Sequence, residues 1–122
     1  MSSHPINLAF RFCLELAALL AMALWGFQHH AGVPRYALAF GAPVLAAALW
    51  GIFAVPGDPS RSGSAPIPVP GAVRLALEAS FFTFAAWGLF VAGKKEPAAI
   101  LAIAVMAHYA ISHDRVAWLL RA

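Results

Sequence analysis

The side chains in this 122-residue sequence that could do chemistry are charged groups set inside apolar runs. Arg74-x-x-x-Glu78 lies in the run 72–92, with Trp87-Gly88 beginning nine residues beyond Glu78. Arg11-x-x-x-Glu15 lies in the run 6–27, with Trp25-Gly26 beginning ten residues beyond Glu15. On a helix a spacing of four puts the guanidinium and the carboxylate on one face. His108, Ser112 and Arg115, at i, i+4 and i+7, also share a face. Ionisable groups at membrane depth cost several kcal/mol unless paired, and they face the interior of a helix assembly. Two kinds of chemistry follow. In one, Glu15 and Glu78 accept a proton or cation at a polar site, with His108 as a switchable partner and the arginines as counter-charges. In the other, the same groups neutralise one another in a buried salt-bridge network that holds the helices in register.

Other chemistries find no support in the sequence. There is no nucleophile–base set, no phosphate-binding glycine loop and no metal-ligand spacing, so no enzyme activity, cofactor or metal is expected. His29 and His30 end the first apolar run. A bis-histidine haem would need histidines at matching depth, and His29 and His108 do not match. Cys13 is the one cysteine, so no intrachain disulfide can form, and it reads as a small packing residue.

Composition defines the elements that must position these residues. The chain is 62% hydrophobic and 11% charged, against roughly 25% charged in soluble domains. Its mean hydropathy is +0.78. A soluble protein of this size could not hide so much apolar surface. The net charge of +3 is scattered among the apolar segments, which argues for membrane-flanking residues and against nucleic acid. The lipid bilayer is therefore the expected partner. A hydrocarbon core of about 30 Å needs about 20 helical residues. Four segments have that length, at about 6–28, 35–55, 72–92 and 97–120. The first continues past a signal-like stretch through Trp25 and Phe27, so a retained helix is expected there. Pro43 should kink the second. The prolines and glycines of 56–71 make that stretch an extended loop. Pro97 suits the first turn of the fourth helix.

The expected fold is all-α, a single integral membrane domain over 1–122, with four helices packed as a bundle of two antiparallel hairpins. Segments one and three run the same way, so their shared R-x-x-x-E and Trp-Gly pattern implies a parallel internal repeat. Measured along the helices, Arg11 lies about 7 Å in and Glu15 about 13 Å, with His108 about 16 Å from the opposite end. That arithmetic groups Glu15, Glu78 and His108 in one layer and Arg11, Arg74 and Arg115 in a shallower one. Trp25, Trp50, Trp87 and Trp118 read as interfacial or packing residues. Ala42, Ala46, Ala47 and Gly51 offer a close-approach face on helix two. Five basic residues on the side of the termini, against three on the other, favour cytoplasmic termini.

Asn7-Leu8-Ala9-Phe10-Arg11-Phe12-Cys13-Leu14-Glu15-Leu16 resembles the opening of the YrdB-like family of small bacterial membrane proteins. The resemblance continues through Gly41-Ala42-Pro43, Trp50-Gly51 and Phe53, and Val73-Arg74-Leu75-Ala76-Leu77-Glu78. It runs on through His108-Tyr109-Ala110-Ile111-Ser112, Arg115 and Trp118-Leu119-Leu120. It implies four helices in a bacterial inner membrane and carries over no reaction, ligand or cofactor. Two functions are thus expected. One is a small-solute, proton or ion transporter or channel component, assembled as a homo-oligomer because one four-helix unit encloses little space. The alternative is a structural or accessory membrane protein whose ion pairs only stabilise the bundle.

Overall fold

The computed structural model describes residues 4–28, 31–58 and 65–121. It is helical almost throughout. In chain order the elements are α1 (Pro5–Gln28), α2 (Val33–Ile52), β1 (Phe53–Ala54), β2 (Ile67–Pro68), α3 (Gly71–Val91), α4 (Lys95–Ile111) and α5 (His113–Arg121). Among the described residues three helices, α1, α2 and α3, are long and apolar enough to cross a membrane.

The burial pattern follows helical periodicity. The inward stripe of α1 is Asn7, Arg11, Leu14, Ala18, Ala21, Met22 and Gly26. That of α3 is Gly71, Arg74, Glu78, Phe81, Phe82, Ala85 and Gly88. The spacings of three and four are those of one helical face. The two stripes meet, and Leu101 of α4 completes the apolar core with Leu14, Met22, Phe81 and Phe82. The helices run parallel, because Arg11 reaches Glu78 near their starts and Trp25 packs on Phe84 and Gly88 near their ends.

Three expectations need correction. The second segment does not stay helical to residue 55. It ends at Ile52, and Phe53–Ala54 form a short parallel ladder with Ile67–Pro68 inside the Pro-rich loop. The fourth segment is not one helix. It breaks at Ser112, whose amide closes α4 onto the His108 carbonyl and whose own carbonyl starts α5 by accepting from Arg115 and Val116. Cys13 is exposed on the outer face of α1 rather than packed inside.

α2 is peripheral. Its one buried residue is Ala39, where a Cβ on Gly26 would overlap the α2 backbone at Leu38 and Ala39. Glycine at that point lets the two helix backbones touch. The close approach of α2 is therefore set by Trp25-Gly26 of α1. Of the four small α2 residues singled out from the sequence, Ala42 and Ala46 pack against the core, Ala47 is exposed and Gly51 faces open space. Pro43 lies inside the continuous α2 helix. His29, His30 and Arg61 lie outside the described residues.

Candidate functional site

Arg74 and Glu78 stand four apart on α3 and both point inward, so Arg74 Nε donates to Glu78 Oε2 at 2.8 Å. Neither side chain has any exposed surface. The Nη1 of Arg74 donates to the carbonyls of Trp50 and Phe53. Those carbonyls belong to the end of α2, where a helix leaves acceptors without intrahelical donors and presents the negative end of its dipole. Arg74 therefore caps α2 while it pairs with Glu78.

Glu78 is hydrogen-bonded from α3, α4 and α5 and ion-paired from α1. Arg115 of α5 donates Nη1 to Oε1 at 2.9 Å and Nη2 to Oε2 at 2.7 Å. Tyr109 of α4 donates its hydroxyl to Oε1. Arg11 of α1 places Nη2 3.1 Å from Oε2. The planar guanidinium of Arg115 matches a carboxylate on each edge. Its other edge holds Asp58, with Nε to Oδ1 at 2.9 Å and Nη2 to Oδ2 at 2.6 Å.

Asp58 reaches this position through a turn. Val55-Pro56-Gly57-Asp58 closes with the Asp58 amide on the Val55 carbonyl at 3.2 Å, and Gly57 takes φ 77°. Proline second and a positive-φ glycine third are the requirements of a type II turn. The turn folds the start of the loop back over the helix ends and leaves Asp58 buried.

A neutral chain of hydrogen bonds extends from Arg11. Its Nη1 lies 3.4 Å from His108 Nε2, and His108 Nδ1 lies 3.2 Å from Asn7 Oδ1. Asn7 Nδ2 donates to Ser112 Oγ at 2.7 Å. A guanidinium can only donate, so Nε2 must accept and the ring carries its proton on Nδ1. Arg11 Nε also lies 3.4 Å from a Glu15 carboxylate oxygen. The Trp50 ring lies under both arginines, 5.0 Å from Arg11 Cζ and 4.5 Å from Arg74 Cζ.

The cluster thus gathers Arg11, Glu15, Arg74, Glu78, His108, Ser112 and Arg115, all of them singled out from the sequence. It adds Asn7, Trp50, Asp58 and Tyr109, which the sequence did not assign to the polar cluster. The expected separation into a carboxylate–histidine layer and an arginine layer is not what forms. Arg115 binds Glu78 directly, and Arg11 lies between Glu78 and His108. The cluster sits toward one end of the helices, with Glu78 about 10 Å from the start of α3 at 1.5 Å per residue. Its three arginines balance Glu15, Glu78 and Asp58. His113 and Asp114 point outward. Among the described residues no group of His, Cys, Asp and Glu has a metal-binding arrangement.

Signals for two of the missed residues were present. Asn7 stands four before Arg11 on the same stripe, and Pro56-Gly57 is a turn signature that returns the next residue toward the bundle.

The family model described as "Protein of unknown function (DUF2568)" matches residues 9–107. The chain belongs to the DUF2568 family. This DUF2568 chain is 37% identical over 117 residues to the "Uncharacterized protein YrdB" of Bacillus subtilis (strain 168), covering 96% of this chain and 95% of that protein. The YrdB-like resemblance read from the motifs is therefore correct, and the match includes the segments that carry Arg11, Glu15, Arg74 and Glu78. No solved structure matches the chain.

Proposed function

We propose that this DUF2568 protein is a multi-pass membrane protein of structural or accessory type, in which the arginine–carboxylate cluster fastens one end of the helix assembly. The observation that carries the reading is the state of Glu78. It has no exposed surface, and Arg11, Arg74, Arg115 and Tyr109 occupy its two oxygens. A transport carboxylate must exchange its partner for a solute or a proton. This one is hydrogen-bonded from α3, α4 and α5 and ion-paired from α1, and the loop residue Asp58 binds the other edge of Arg115. A buried network of this kind adds little net stability over apolar packing, but it specifies one arrangement of the elements.

The α4–α5 unit forms a fourth span, giving four helices in two hairpins. α4 alone is 17 residues, near the lower limit for crossing a bilayer. The membrane is the cytoplasmic membrane of a bacterium, with both termini on the cytoplasmic side, and the protein performs no catalysis. The apolar outer surface of α2 suits lipid or a second copy of the chain.

Reconstitution into liposomes tests the reading. Proton and small-ion flux should equal that of empty liposomes, and Glu78→Gln should change stability rather than flux. A wild-type flux that the substitution abolishes, with the fold intact, would overturn it.

One observation favours a second reading, transport. Glu15 lies off the buried stripe, its side chain is 22% exposed, and its contact with Arg11 is long at 3.4 Å. If transport occurs, Glu15→Gln should abolish flux more completely than it lowers stability.

A further inference from the structure

His108 joins the start of α1 to the break between α4 and α5. Arg11 Nη1 lies 3.4 Å from its Nε2, and its Nδ1 lies 3.2 Å from Asn7 Oδ1. Asn7 Nδ2 continues to Ser112 Oγ at 2.7 Å, at the residue where the helix breaks. The Phe10 ring meets the imidazole edge-on, with centroids 5.6 Å apart. Asn7, Phe10 and Arg11 of the first turns of α1 therefore all rest on one imidazole, and that residue is 1% exposed.

We infer that His108 is an acid-sensitive catch: a proton on Nε2 loosens the first turns of α1 from α4 and α5, while α5 stays fastened to α3. The inference goes beyond the accessory reading above and holds equally if the cluster transports. Hydrogen-bond roles carry it. Arg11 has only donors, so Nε2 keeps its place only as an acceptor. An imidazole protonated on both nitrogens has only donors too, and its Nε2 hydrogen would then point at those of Arg11. Asn7 Oδ1 can still accept from Nδ1, so the contact that fails is the one to Arg11. Arg11 has another partner within reach, since its Nε lies 3.4 Å from Glu15.

The groups around the ring come from every helix that packs on it. α1 contributes Arg11 and α5 contributes Arg115, both cations, and α3 contributes Glu78. The oxygens of Glu78 already accept from Arg74, Arg115 and Tyr109. Tyr109, next to His108 on α4, has its ring 5.3 Å from the imidazole and gives its hydroxyl to Glu78. The contacts that hold α5 do not pass through the imidazole. Arg115 binds Glu78 and Asp58, and the Leu119 backbone lies against Gly71. Acid therefore acts on the start of α1 and spares α5.

The test is amide hydrogen exchange of the full chain in detergent, read by mass spectrometry and corrected for the intrinsic pH dependence of exchange. His4 is a second histidine at the start of α1, where its Nδ1 accepts from the Ile6 amide. All samples therefore carry His4→Ser, which keeps a helix cap. An imidazole released from its site binds a proton near pH 6.5, so linkage makes opening about tenfold more frequent at about pH 5.5 than at about pH 7.5. Protection of residues 7–13 should fall by that factor, and protection of residues 115–121 should not change. With His108→Gln, which fills the same two roles without titrating, residues 7–13 should be equally protected at both pH values. No pH effect at the start of α1, an equal effect in α5, or the same effect with glutamine overturns the catch. Should the glutamine variant fail to fold, the comparison of the two segments with His108 in place still decides.

Discussion

Arg115 and Glu78 form a two-bond pair, with nitrogen–oxygen distances of 2.9 and 2.7 Å, across 37 positions of sequence. The pair ties α5 to α3, and Asp58 on the other edge of the same guanidinium adds the loop. Three separate parts of the chain are thus fixed by one planar group. The break at Ser112 belongs to the same device, since it starts the short helix that carries Arg115.

Glu78→Gln removes one negative charge and leaves three guanidinium groups facing Asp58 and Glu15. Removing one partner of a buried ion pair costs about 3–5 kcal/mol. Unfolding in detergent should show a loss of that size. An unchanged midpoint would mean that the cluster contributes nothing to holding the helices.

Asp58 and Arg115 should be strongly coupled. In a double-mutant cycle of Asp58→Asn and Arg115→Met, the interaction energy should fall between about 0.5 and 3 kcal/mol. Arg115→Lys should behave more like Arg115→Met than like wild type, because an ammonium cannot match two carboxylates edge to edge. Additive effects in the cycle would refute the coupling.

The glycines make opposite predictions. A Cβ at Gly71 would overlap the Leu119 backbone, and one at Gly26 would overlap α2 at Leu38 and Ala39. Gly71→Ala and Gly26→Ala should each destabilise by about 1–3 kcal/mol through overpacking. Gly41, in the interior of α2, faces open space. Gly41→Ala should be neutral or stabilising by up to about 1 kcal/mol, because alanine is the better helix former. Thermal scans of the three variants side by side decide this, and an equal loss in all three would contradict the packing described.

His108 accepts from Arg11 and donates toward Asn7, roles a glutamine amide can also fill. His108→Gln should therefore retain most of the stability. His108→Lys puts a second cation beside Arg11 and should cost about 3–5 kcal/mol, the penalty of an uncompensated buried charge. If the lysine variant is as stable as the glutamine variant, the neutral acceptor role is incorrect.

What the sequence determines by itself is local. Mean hydropathy and segment length identify the membrane-length helices, and the family motifs are legible as residue strings. Helical periodicity places Arg74 beside Glu78 and sets His108, Ser112 and Arg115 on one face. Periodicity does not say how each helix is rotated against its neighbours. After Arg11 the buried stripe of α1 steps by three, to Leu14, whereas after Arg74 the stripe of α3 steps by four, to Glu78. Two identical R-x-x-x-E motifs therefore end differently. Glu78 is the buried centre, and Glu15 is a partly exposed margin. That difference of one position is fixed by which helices approach where, at Gly26 against Ala39 and at Gly71 against Leu119. The return of Asp58 through its turn and the entry of Tyr109 and Trp50 depend on the same packing. These contacts join residues far apart in the chain, and only the folded structure brings them together.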